Sequence, residues 1–305
     1  MNDNQLFVSV DMDEWYLARW ATGSQHSFWP DLPTLFQEVY QQTRPVGEIF
    51  EPTEQILTLF DDLKFKGTFF FTGLIASYYP ELVKLIAGHG HEIGCHNFHH
   101  LDYENLSQKQ FRHDLFLSKS LLEDLSGQPI FGYRSPNSSI PSFLIEELEN
   151  AGFLYDSSVT PTRRIMGKFG NFTKAPLKPY RPSYQNLGEE GNSRILELPW
   201  AVFPGLKLPA GSGIMHRIMG NKYNNYATLH SLRKGSVSYY FHPYEISENR
   251  YLNLQSMPLK VRVFMLRTGK PYFYSLKNFL IKHKEKLTNG IKLYQKTIIE
   301  SFEKI

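Results

Sequence analysis

Apolar residues follow two rhythms along the 305-residue chain. Short blocks at 6–10, 68–71, 92–95, 131–133, 154–155, 195–198 and 237–241 read as strands. The stretches between them carry helical spacing, predicting helices over 53–63, 80–87, 107–125 and 141–151. The third opens with SQKQ, a capping box with Ser107 as N-cap and Gln110 at N3, and Phe111, Leu115, Leu122 and Leu125 fall on one face. The fourth is opened by Pro141 and closed by Gly152. Repeated strand–helix alternation predicts an α/β fold with parallel strands. The count of about seven strands suits one barrel better than two domains.

Three long connections interrupt the alternation. The segment 15–51 holds Trp15, Tyr16, Trp20, Phe28 and Trp29, the segment 160–194 is basic and rich in Tyr and Pro, and 204–234 contains Gly211-Ser-Gly213. Long connections in a compact domain are usually functional or disordered, so the aromatic ones are candidate walls of a sugar site. Trp15 begins such a wall, and Trp200 in LELPW divides between wall and core. The glycines read as a turn or as an approach to a phosphate, and Arg163 and Arg164 as a phosphate contact or a solvated pair. The expected division is a barrel over 1–275 and a Lys-rich helical tail over 276–305, packed on the barrel or resting on a membrane surface.

Aromatic residues make up 15% of the chain, and the formal charge of +3 is too small to point to nucleic acid. The single cysteine, Cys95, excludes an intrachain disulfide framework, and strand alternation turns it away from its neighbour His96. No apolar run is long enough to span a bilayer and no secretory leader pattern is seen, so the expected setting is cytoplasmic.

The polar residues that follow the strand blocks are chemically specific. Asp11 and Asp13 follow the first, His96 the third, Arg134 the fourth, Asp156 the fifth and His242 the last. Catalytic groups of α/β barrels collect at these strand ends. His96 and His100 stand four apart, a spacing that puts both on one face of a helical turn and, with a third ligand, suits a metal.

Taken in order, DMD, HNFHH, YRSPN, YDSS and YFHPYE resemble the motifs of the polysaccharide deacetylases, the NodB-homology or carbohydrate esterase family four, over residues 6–245. The resemblance is nearest to the cytoplasmic branch linked to surface-glycan synthesis, which also has a glycine-rich stretch like LPAGSGIMHRIM. It implies a distorted (β/α) barrel of seven to eight strands and a metal-dependent N-deacetylase. Asp13, His96 and His100 would hold the metal, Asp11 would be the base and His242 the acid. Arg134 would orient Asp11, Asp156 would orient or tune His242, and the backbone near Asn137 would bind the oxyanion. Trp15, Trp200, Gly211 and Gly213 are assigned to the substrate. Zinc is the first choice of metal, with cobalt, nickel and iron compatible with two histidines and a carboxylate. Met12 separates the two aspartates, Asn97 stands where the family prefers Ser or Thr, and a bend could exchange Glu14 for Asp13.

The assignment is chemically coherent. An amide is a poor electrophile, so a metal must polarise its carbonyl. A carboxylate takes a proton from water, and a histidine gives one to the leaving amine. The expected reaction removes an N-acetyl group from an amino sugar in a nucleotide- or polyprenyl-linked glycan precursor. The alternatives are a deformylase of a lipid-linked amino sugar and a non-catalytic glycan-binding protein on the same fold. The oligomeric state is left open.

Overall fold

The computed structural model describes residues 3–24, 27–102, 106–163 and 172–302. Arg164, half of the expected phosphate pair, lies outside them. Seven parallel strands form the frame: β1 (Leu6–Asp11), β2 (Thr68–Phe71), β3 (Glu92–Cys95), β4 (Gly132–Tyr133), β5 (Tyr155–Asp156), β6 (Leu196–Glu197) and, after the hairpin β7 (Val202–Phe203) and β8 (Leu208–Pro209), β9 (Val237–Phe241). Strands β1 to β6 pair in chain order, and β9 pairs with the other edge of β1. A bridge between Trp200 and Ser238 joins the chain leaving β6 to β9, with Ser238 N–H donating to the Pro199 carbonyl at 2.9 Å. The strands thus curl into the predicted barrel.

Alternation sorts the residues of β1. Phe7, Ser9 and Asp11 share one face, and Phe7 packs with Phe70, Tyr155, Leu196, Leu198 and Leu293 in the barrel's interior. Leu6, Val8 and Val10 join the larger core beneath the helices. Those helices follow their sequence signals closely. Phe50–Asp62, Pro80–Gly88 and Gln108–Ser126 lie within three residues of expectation at each end, and the Ser107–Gln110 capping box is formed. The fourth helix is shorter than predicted, Leu144–Asn150, because Pro141 stands before its first turn rather than in it.

Two regions depart from expectation. The segment 204–234 is largely a helix, Gly213–Leu232, capped by Ser212, whose hydroxyl accepts from Met215 N–H at 3.4 Å. Its buried face is largely polar, with His216, Arg217, Asn224 and Thr228, and Gly220 interrupts it at φ 82°, so its apolar spacing is weak. The division at 275/276 falls inside the helix Lys270–Lys282. Beyond it, β10 (Leu287–Thr288) pairs in parallel with Leu6 and Phe7 of β1. The helix Gly290–Phe302 then plugs the barrel with Leu293. The C-terminal segment is therefore part of the barrel's packing, not an appendage to it.

Candidate active site

The ends of β1, β3, β4 and β9 converge on one cleft, lined by Asp11, Asp13, His96, His100, Arg134, Asn137, Trp200, Tyr240 and His242, among others. Asp11 reaches it by strand alternation. Asp13 reaches it by a bend, since its N–H donates to the Asp11 carbonyl at 2.8 Å, a γ-turn contact. The bend leaves Glu14 on the far side, where its carboxylate accepts from Ile49 N–H and the Tyr79 hydroxyl. Burial pushes the Glu14 carboxyl up to about 7. Asp13, not Glu14, faces the histidines.

Asp13 Oδ2 lies 3.1 Å from His100 Nε2 and 3.8 Å from His96 Nε2. His96 and His100 do not sit on a helical turn as their spacing suggested. The segment after β3 is a loop, turned by Asn97 at φ 59° and docked by Gly73 and Leu74 N–H groups on the Asn97 and Phe98 carbonyls. Asn tolerates that left-handed backbone, which accounts for it here.

The donor set fits a divalent ion. One ligand atom from each of Asp13, His96 and His100 lies within 4.8 Å of the others, and all three residues are buried. His96 Nδ1 donates to the Arg134 carbonyl at 2.7 Å, which leaves the Nε2 lone pair on the Asp13 side. Burial lowers the His96 pKa to about 4, so the ring is neutral, as a ligand must be. Burial opposes the Asp13 charge, but the neighbouring imidazoles hold its carboxyl below the ordinary range. Asp13 Oδ1 and His100 Nδ1 are buried with no hydrogen-bond partner among the described residues.

Asp11 is clamped from behind. Arg134 Nη1 donates to Asp11 Oδ1 at 2.6 Å and to Ser9 Oγ at 2.8 Å, while its Nε and Nη2 bond the Ser157 carbonyl and hydroxyl. The guanidinium stacks 4.4 Å from the Phe70 ring. His242 Nε2 also approaches Asp13, 4.0 Å from its Oδ2. Glu245 holds that histidine, accepting from its N–H at 2.9 Å and from Nδ1 at 3.1 Å. Arg217 Nε in turn donates to Glu245 Oε1 at 2.9 Å. Burial pushes the His242 pKa down, but Glu245, Asp11 and Asp13 outweigh it, and the net shift is upward.

Three sequence assignments are corrected. Asp156 does not reach His242. It is buried against Glu197 and accepts from the Ser158 hydroxyl at 2.5 Å, and burial raises the pKa of both carboxyls. Glu245 occupies the place foreseen for Asp156; the signal was present in HPYE, as a carboxylate three residues after His242 on a helix start. Trp15 is 1% exposed and packs on Trp20, Trp29 and Tyr40, with its indole N–H on Glu48. Trp20, from the same segment, lines the cleft instead. Gly211 and Gly213 do not line it. A Cβ on Gly211 would stand 2.7 Å from the Ser238 carbonyl oxygen, and one on Gly213 would stand 2.1 Å from Glu245 Oε2. They are small because β9 and Glu245 pack against them.

Asn137 lines the cleft with φ 55°, its amide donating to Asp102 at 3.2 Å, and Asp102 pairs with Arg19 at 2.9 Å. Trp200 also lines it, its indole N–H on the Ser157 carbonyl and its ring 4.3 Å from that of Tyr240. Cys95 is buried and points to Ser118, away from the cleft.

Residues 49–155 match the family model described as polysaccharide deacetylase. The chain is related to the polysaccharide deacetylases. A peptidoglycan-N-acetylglucosamine deacetylase of Bacillus cereus is 32% identical over 101 residues, 33% of this chain and 47% of that protein. The chain thus matches about half the length of that deacetylase. Among solved structures, a Mycobacterium smegmatis protein assigned to the polysaccharide deacetylases superposes over 98% of this chain and 92% of its own, with TM-score 0.62 and 18% identity. A CE4 family pseudoenzyme of Bacillus anthracis superposes over 96% of this chain and 66% of its own, with TM-score 0.50 and 13% identity. These likenesses establish the deacetylase fold, while activity has to be argued from the side chains.

Proposed function

We propose that this protein is a metal-dependent hydrolase that removes an N-acetyl group from an amino sugar. The observation that carries the reading is the placement of Asp11 and His242 about the Asp13–His96–His100 cluster in one cleft. Those three residues would hold the ion, which supplies polarisation of the amide carbonyl and a lowered pKa for water. Asp11, oriented by Arg134, takes the water proton. His242, kept protonated by Glu245, gives a proton to the sugar nitrogen as the amide C–N bond breaks. The products are acetate and a free amine. Trp20, Trp200, Tyr240 and Tyr244 offer aromatic walls for a sugar ring.

The proposed substrate is a nucleotide- or polyprenyl-linked precursor in the cytoplasm rather than finished wall polymer. The test is a panel of both precursor types and peptidoglycan fragments, incubated with zinc-loaded protein and followed by mass and by acetate and formate release. Acetate from a precursor is the expected result, and Asp11→Asn and His242→Gln each lower kcat by about 10²–10⁴. Formate instead of acetate would identify a deformylase. Full activity in Asp11→Asn, or no hydrolysis of any substrate, would overturn the catalytic reading in favour of a binding protein.

A further inference from the structure

We propose that residues 257–270 form a face that docks the mouth of the cleft on an anionic lipid surface. The segment reads MPLKVRVFMLRTGK, and its core is the helix Leu259–Phe264. Val261 and Met265 anchor it in the core. Leu259, Val263 and Leu266, at i, i+4 and i+7, are 71%, 47% and 44% exposed. An outward aliphatic stripe has no packing role, so it calls for an occupant.

The charges around the stripe say which. Between Glu248 and Glu285 the chain has eight Lys and Arg residues and no carboxylate. Lys270 and Arg250 lie near Glu248, at 3.6 and 4.0 Å. Arg267 donates to the Arg217 carbonyl, and neither it nor Lys260 nor Arg262 has a carboxylate partner among the described residues. Aliphatic side chains interleaved with unneutralised cations are what an interfacial segment presents to an anionic bilayer. A second copy fits poorly, because a two-fold contact would set this cationic face against itself.

The position ties the face to the site. Phe264 lines the cleft and meets Trp20, with ring centroids 6.3 Å apart. Phe28, 50% exposed, bonds its N–H to the Trp20 carbonyl, extending the apolar rim. The terminal helix Gly290–Phe302 is a weaker candidate: Leu293 is buried in the barrel, and Lys296 pairs with Asp3 and Glu300. The docking itself does not depend on the reaction. Its consequence for substrate, a preference for the polyprenyl-linked form, rests on the deacetylase reading.

The test is co-sedimentation of the full chain with phosphatidylcholine vesicles with and without phosphatidylglycerol. Binding is expected with phosphatidylglycerol only and is weakened by salt. Each cation near such a surface contributes about fivefold, so Lys260→Gln with Arg262→Gln lowers partitioning about thirtyfold. Leu259→Ser with Val263→Ser also weakens it, and both pairs of changes leave acyl release from a short soluble substrate unchanged. Equal sedimentation with neutral vesicles, wild-type binding by the variants, or a dimer that Val263→Ser dissociates would overturn the proposal. Vesicle binding by a chain that hydrolyses nothing would leave the docking face standing and refute only the reaction.

Discussion

Arg217 is the perturbation that best tests how the site is held. It does not itself line the cleft, yet its Nε bonds Glu245 Oε1 at 2.9 Å with both side chains fully buried, and its Nη1 donates to the Phe264 and Leu266 carbonyls at 2.7 Å each. Replacing it with methionine keeps most of the volume and removes the charge. Breaking one side of a buried ion pair costs about 3–5 kcal/mol, because the other charge stays behind. That is a large share of the roughly 5–15 kcal/mol that holds a typical domain together. Glu245→Gln strands the arginine and costs a similar amount. The double variant strands neither, so its loss falls short of the sum by about 2 kcal/mol or more. Urea titration of the four proteins measures the cycle. Acyl release from a soluble substrate gives the kinetic half: kcat falls in both single variants because His242 loses its anchored carboxylate, while KM changes little. Losses that add within about 0.5 kcal/mol, or single variants of wild-type kcat, would refute the reasoning.

Other outcomes are expected on independent grounds. Zinc at a hundredfold excess over its dissociation constant stabilises the protein by about 2.7 kcal/mol, read as a thermal shift, and Asp13→Ala and His100→Ala lose that response. Burial lowers the His216 pKa to about 4, with Nδ1 at 2.7 Å from the Tyr239 hydroxyl. The folded state therefore binds fewer protons than the unfolded chain between its ordinary value, 6.5, and 4. Stability is full above that window and falls by about 3 kcal/mol as pH drops through it, and His216→Asn flattens the slope in pH-dependent urea melts. Gly211→Ala, at φ 70° and against the Ser238 carbonyl, destabilises by about 1–3 kcal/mol in the same melts. Trp15→Ala costs about 3–5 kcal/mol of stability, whereas Trp20→Ala chiefly raises KM in steady-state assays.

What the sequence made legible follows from period and position. β2, β3 and β9 match their predicted limits because each is a short, mostly apolar or small-residue block buried along its whole length. Five of the seven block ends deliver an ionisable side chain, and all but Asp156 reach the cleft. Asp156 was misread because a residue at a strand end states its layer but not its neighbour, and its neighbour is Glu197. Trp15 was misread because an aromatic after a charged cluster fits a core plug as well as a wall. β7, β8 and β10 escaped because their residue pairs, VF, LP and LT, lie outside the strand–helix alternation that marked the other two-residue strands. The helix Gly213–Leu232 escaped because its buried positions include His216, Arg217, Asn224 and Thr228, which no hydrophobic pattern marks.

The placement of β1 governs how the molecule can come into being. The strand that ends in Asp11 and leads into Asp13 pairs with residues from Thr68, from Val237 and from Leu287 onward. Two of its three partners therefore lie more than two hundred positions away along the chain. Contacts of such separation close late and slowly. During synthesis this strand waits, its apolar face open, for partners made more than two hundred residues later. The charges that would bind the ion come together only when this circle closes, so metal capture should mark a finished molecule rather than seed its folding.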